Sequence, residues 1–274
     1  MTRLRPITWL LLLPAALILG LMMAGVSAMV AVSFGSDEGW LGHYERFVSD
    51  PTYLAYVWRS FRVALWTTAV TMILGYAVAY VMSRTTPGWR RLITLVLVLQ
   101  FFSVNVTRIY SLILILGNNG VINRALRDAG LIEAPIRMIY NELGVTIGLV
   151  SAALPFAAFP IVTVLDRIPP SLREMALTLG AGRTRIFWLL ILPLSAPGVL
   201  AGVTIVFLYS LAAFATPLLL GGGFVDLISV FAYEQAINLN AYGFAAAGAL
   251  VTLFLAFLTV YAANRLAERW MRLA

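Results

Sequence analysis

The 274 residues contain no cysteine, no lysine and a single histidine, His43. Without cysteine the chain makes no disulfide and carries no thiol nucleophile, thiolate metal site or iron–sulfur cluster. His43, flanked by Gly42 and Tyr44, has no partner ligands in the sequence and reads as a solvated loop residue, so no metal site is expected. A phosphate-binding P-loop needs a lysine. The one glycine run, Gly221-Gly222-Gly223, also lacks the P-loop spacing. No ATP-hydrolysing site is therefore expected in this chain. Charge is scarce as well: 11% of residues, against about 25% in soluble domains. Hydrophobic residues reach 61% and mean hydropathy is +0.92. That much apolar surface cannot be hidden inside a water-facing globule, so the solvent is lipid. The net charge of +7 comes from 19 arginines without a polybasic tract, which points to membrane topology rather than nucleic-acid binding.

About 20 mostly apolar residues cross a bilayer as a helix. Six such runs are present: Ile7–Phe34, Val63–Met82, Leu92–Leu116, Leu143–Leu165, Leu194–Leu220 and Phe244–Ala263. The first follows Arg3 and Arg5 and passes Val26-Ser27-Ala28, which resembles a signal-peptide cleavage site. The apolar run continues beyond it and reads as a retained span. With the N-terminus inside, twelve arginines and three acids fall on one side, a net +9, and seven arginines and nine acids on the other, a net −2. By the positive-inside rule both termini are cytoplasmic. On the outer side Asn118-Asn119-Gly120 reads as a turn. Val121, Ile122, Ala125, Leu126 and Ala129 then recur at helical spacing up to Gly130, an architectural amphipathic helix. The glycine run at 221–223 reads as a flexible loop. Nothing reads as a soluble domain, so residues 1–274 form a single integral domain.

The longest inward segment, Asp166 to Pro193, lies between spans four and five. Ser171 and Glu174 have the spacing of a capping box, in which each side chain bonds the other residue's backbone N–H. Pro169 and Pro170 block a helix arriving from upstream, and Gly180 offers a left-handed stop. A two-turn helix over Leu172–Leu179 follows, with Leu172, Met175, Ala176 and Leu179 on one face. So short a helix is marginal alone. A groove on a partner would hold it, each buried side chain contributing about 1.5–3 kcal/mol before association costs. Resting on lipid headgroups is the alternative.

Glu174-Met175-Ala176, three residues, Gly180, nine residues and then Leu190-Ile191-Leu192-Pro193 resemble the signature of bacterial ABC importer permeases. That signature is E-A-A, three residues, Gly, nine residues, I-x-L-P; here Met175 and Leu190 replace its second Ala and its Ile. Arg108-Ile109-Tyr110, Asn119-Gly120-Val121-Ile122-Asn123, Ala134-Pro135-Ile136-Arg137 and the run from Pro193 to Gly202 resemble the spermidine/putrescine branch. The resemblance implies an all-α fold of six transmembrane helices, that of type I importer permeases, with a cytosolic coupling helix between spans four and five. It also implies a place in the bacterial inner membrane beside a second, distinct permease, a cytosolic ATPase dimer that binds ATP and magnesium, and an extracytoplasmic solute-binding protein. Leu172, Glu174, Met175, Ala176, Leu179 and Gly180 then carry the ATPase coupling, with Ser171 as the helix cap.

Ionisable or polar groups within spans are candidates for a solute path. Arg108, with Asn105, Thr107 and Tyr110, sits toward the outer end of span three and either lines the cavity or snorkels to headgroups. Tyr209, Phe214 and Thr216 on span five, between Pro197 and Pro217, either meet an amine-bearing solute or bond neighbouring spans. Asp226 and Glu234 in the outer loop either attract a cation or are simply solvated. No Asp or Glu lies deep in any span, which fits a polycation poorly unless a second permease supplies the acids. An amino-acid-like solute with an amine and an anionic group would suit Arg108 and the aromatics better. The rival class, an ion-coupled secondary transporter, predicts titratable residues or broken helices near midplane in matched halves. The sequence shows neither.

Overall fold

The computed structural model describes residues 6–35 and 39–273. Arg3 and Arg5, on which part of the charge count rests, lie outside the described residues. In chain order the helices are α1 (Pro6–Ser33), α2 (Gly42–Ser49), α3 (Pro51–Arg84), α4 (Pro87–Phe102), α5 (Asn105–Leu116), α6 (Val121–Asp128) and α7 (Glu142–Leu165). Then come α8 (Pro170–Thr178), α9 (Arg183–Ile186), a π turn (Phe187–Ile191), α10 (Leu192–Leu194), α11 (Ala196–Leu211) and α12 (Ala215–Gly221). The chain closes with α13 (Ile228–Tyr233), a second π turn (Glu234–Asn238) and α14 (Tyr242–Leu273). Four helices are long and apolar enough to cross a membrane, and six spans are reached when each of two bent pairs crosses as one.

The core is α3, α7 and α11, and the sequence explains why they approach closely. Asp50 starts α3 by accepting from the Thr52 N–H at 2.8 Å, with Pro51 at the first helical position. Asn141 does the same for α7, accepting from the Gly144 N–H at 2.8 Å. Where the helices cross, small residues face one another, as in membrane helix pairs generally. A Cβ at Gly75 of α3 would lie 2.5 Å from the Ala157 Cβ of α7, and one at Gly198 of α11 would lie 2.7 Å from the Pro160 carbonyl. Ala79, Ala153, Ala157 and Ala158 are fully buried beside them. By contrast, α1 is exposed along nearly its whole candidate span, with only Ser33 at its end buried, and it runs unbroken through Val26-Ser27-Ala28.

Two of the expected spans are not straight. Span three was expected as one rod over 92–116. Ser103 and Val104 are instead extended, and the axis turns by 107° between α4 and the segment after it. Polar Gln100, Ser103, Asn105 and Thr107 crowd this stretch, and such short polar side chains compete with the helical ladder. Span five, expected over 194–220, turns by 64° at Ser195 and breaks again at Ala212–Phe214. Pro197 has no N–H to continue the ladder through the first bend. Broken helices, a feature also expected of the rival transporter class, are therefore present. Span two is longer than expected: α3 has 34 residues, about 51 Å at 1.5 Å per residue. Its outer turns carry Arg59 and Arg62, both paired with Glu142.

Two loop readings also change. His43 is not a solvated loop residue: it lies in α2, half-buried, against Gly243 and with its ring 6.1 Å from that of Phe244. Phe47 and Phe244 anchor an aromatic cluster there, and the exclusion of water places His43 on its flank. The Gly222-Gly223 pair forms a defined left-handed turn, with Gly222 under the Tyr140 ring.

The outer amphipathic helix is present as α6, closed by Gly130 at φ +68. Its anchor is polar. Asn123 is fully buried, donating to the carbonyls of Gly117 and Ile136 at 3.0 Å each and accepting from the Ile136 N–H at 2.9 Å. Val121 and Ile122 point outward instead. While the Gly117 carbonyl keeps the Gly120 N–H at 2.8 Å, an Asn123→Leu variant leaves the Ile136 N–H and carbonyl unpaired, at about 1–3 kcal/mol each. It should lower the thermal midpoint of the detergent-purified chain well below that of an Arg124→Gln control on the same helix.

Candidate functional site

At the C-terminal end of α7, Arg90 of α4 grips Asp166 through both guanidinium nitrogens, one at 3.3 Å. Their contact ties the start of α4 to the end of α7. The pair is half exposed and worth no more than about 1 kcal/mol. It serves better to fix where the loop departs. Ser83, Arg84, Ile168, Arg173 and Ile191 complete a small polar cavity behind it, about 160 Å³.

The next nine residues form α8, and the capping box is absent. The cap position is Pro169, no side chain closes it, and Ser171 and Glu174 are both exposed. Proline at the first helical position, φ already set, lets the helix begin one residue before Ser171, which then sits too far inside to cap. The far end is as expected. Gly180 takes φ +79, its N–H donates to Leu177 O at 3.0 Å, and the Ala181 N–H reaches Ala176 O at 3.0 Å. This is a Schellman closure.

That closure turns Ala176 and Ala181 inward, onto the cluster built from Met82, Ile161, Ile186 and Ile191. Ala176 is thus a hinge contact with the chain's own body rather than part of a free face, and Leu172 is half-buried. The exposed apolar residues are Met175 (58%), Leu177 (45%) and Leu179 (86%). Leu177, placed off the face by helical spacing alone, joins it because α8 lies flat and shows its outer half. Beyond Gly182, Ile191 of the Leu-Ile-Leu-Pro run is buried and Phe187 stands edge-on to Tyr76 and Tyr80 at 5.7 and 5.5 Å. The run anchors the loop. The bend at Ser195 is held from α3: the Ser195 Oγ donates to Leu192 O at 2.9 Å and accepts from the Tyr76 hydroxyl at 3.0 Å. Nothing in the sequence singled out Tyr76.

The residues proposed for a solute path separate into three groups. Asn105 and Arg108 lie just past the break in span three, joined at 2.6 Å, and Tyr110 is exposed on α5. Tyr209 packs its ring 5.2 Å from that of Phe156 on α7. Thr216 is buried against Gly148, and Phe214 pairs with Tyr233 at 4.8 Å, so both hold α12 in place. Asp226 and Glu234 share the field of Tyr56 and Arg59 at the outer end of α3. No group of three or more His, Cys, Asp or Glu suited to a metal occurs among the described residues.

Residues 4–272 match the model of the binding-protein-dependent transport system inner membrane component family. The chain belongs to that family. The permease is a transport subunit, not an enzyme. It is 35% identical to the spermidine/putrescine transport system permease protein PotB of Haemophilus influenzae, over 82% of this chain and 79% of that protein. With the protein of the same name from Escherichia coli it shares 31%, over 92% and 94%. Its fold matches a chain of a bacterial alginate ABC transporter in complex with alginate pentasaccharide-bound periplasmic protein. The TM-score is 0.77 at 18% identity, over 97% of this chain and 95% of that one. The permease is thus an all-α, multi-pass membrane protein, and its bent spans belong to the permease fold rather than to a secondary transporter.

Proposed function

We propose that this permease carries polyamines, spermidine or putrescine, across the bacterial cytoplasmic membrane as one subunit of an ATP-driven importer, with both termini on the cytoplasmic side. The observation that carries the reading is α8: a short helix on the arginine-rich side, tied to the body through Ala176 and Ala181, with Met175, Leu177 and Leu179 bare. Such a helix fits a groove on a partner. An ATPase dimer, which holds ATP and magnesium, supplies that groove; a second permease closes the path, and an external binding protein delivers the solute. The two polyamine-named relatives support the solute class. Asp226 and Glu234, on the opposite side to α8, would draw a cation toward the outer mouth.

Uptake of labelled spermidine by proteoliposomes holding the whole complex tests this. Uptake should require ATP inside the cytoplasmic compartment and persist when ion gradients are collapsed. Uptake driven by an imposed proton or sodium gradient without ATP would favour an ion-coupled secondary transporter and refute the proposal.

A further inference from the structure

The break in span three lies at the middle of the membrane-spanning layer, and two internal rulers place it there. Arg90 and Asp166 mark the inner end. Phe101, beside the break, stands edge-on to Phe156 of α7 at 5.0 Å and stacks on Phe159 at 6.0 Å. Phe156 is ten residues from Asp166 and fourteen from Glu142, or about 15 and 21 Å along the helix. The hydrocarbon core is about 30 Å thick. The break therefore sits deep, away from both headgroup layers.

Its backbone is open. The carbonyls of Gln100, Phe101 and Phe102 and the N–H groups of Asn105, Val106 and Thr107 have no hydrogen-bond partner among the described residues. The side-chain Oε1 of Gln100 is buried and equally without a partner. Residues 101–107 are all exposed on this chain, Phe102 at 79%. Irregular, unpaired backbone does not face lipid at such depth; it is buried in protein or lines water.

We infer that the broken third span lines the water-filled path of the solute, and that its carbonyl end takes the ammonium groups. The C-terminal end of α4 presents the negative pole of a helix and three free carbonyls, with the Phe101 and Phe102 rings adjacent. Half-helix C-terminal ends and unwound carbonyls hold cations in other broken spans, and aromatic faces add cation–π attraction. These acceptors replace the carboxylates that the spans lack. Arg108 is set back on α5, where Asn105 holds it. The solute class rests on the polyamine reading above; the water path rests on the break alone.

The absence of cysteine makes the test direct. Ser103→Cys and Asn105→Cys, each in the assembled complex, are exposed to a charged, membrane-impermeant methanethiosulfonate, with Val96→Cys, exposed on α4 before the break, as the control. Both break positions should react at least tenfold faster than position 96, and saturating spermidine should slow them severalfold. Rates equal to the control at both positions would overturn the water path. Fast labelling with no spermidine protection, in vesicles whose wild-type complex takes up spermidine, would overturn the ammonium site. If the wild-type complex takes up no spermidine, the substrate reading falls, while the labelling ratio still decides the path.

Discussion

Replacing Gly180 with proline is expected to lower ATP-driven uptake at least tenfold while the chain still inserts in the membrane. Gly180 stands at φ +79, and proline is fixed near −65°. Proline also lacks the N–H that Gly180 donates to Leu177 O, so one of the two bonds of the closure is lost outright. Without the closure Ala181 no longer folds back on Ala176, and α8 loses its tie to the Ile161–Ile191 cluster. The helix is then free to swing, and motion of the ATPase is not passed to the spans. A Cβ at this position meets nothing within 4 Å, so the effect is conformational rather than steric. Asparagine, which tolerates the left-handed region, should retain most of the activity. Uptake in proteoliposomes and retention of the ATPase on affinity purification measure the two consequences. Wild-type uptake by the proline variant would remove α8 from the coupling role.

The second large effect is structural. Gly75→Leu should leave little monodisperse complex after detergent extraction. At Gly75 even a single added carbon lies 2.5 Å from Ala157 Cβ and 3.4 Å from the Ala158 backbone nitrogen. A leucine adds four carbons where α3 and α7 already touch, so the two helices must separate. Overpacking by one or two methylenes costs about 1–3 kcal/mol, and leucine exceeds that. Gly75→Ala should give an intermediate loss of yield, and Ala157→Gly in the same chain should restore it, since it removes the colliding carbon. The double-mutant cycle gives the coupling between the two sites. Failure of the second glycine to rescue would show that the crossing relaxes by another route.

These two glycines differ in how visible they were beforehand. Gly180 follows a short charged segment with prolines before it, and its role as a stop was legible from chain order alone. Gly75 lies in an apolar run indistinguishable from its neighbours. Its meaning comes from Ala157, 82 residues away. Ser171 shows the opposite error. Its spacing to Glu174 satisfied a local rule, but Pro170 started the helix two positions early and made that rule irrelevant. Leu177 and Ala176 exchanged roles for a tertiary reason: the Schellman closure rotated α8 so that one side met the Ile161–Ile191 cluster.

Composition and hydropathy by themselves determined that the chain lives in lipid, and that it has no lysine for a P-loop and no cysteine for a thiolate site. Local motif chemistry fixed where α8 stops, at Gly180, because a stop depends on neighbours a few residues apart, but it misplaced the start. Only the tertiary structure decided where the spans break and which polar groups those breaks expose. A broken span and a straight one have the same mean hydropathy. The difference between them lies in which backbone groups find partners, and those partners are chosen by packing between helices distant in sequence.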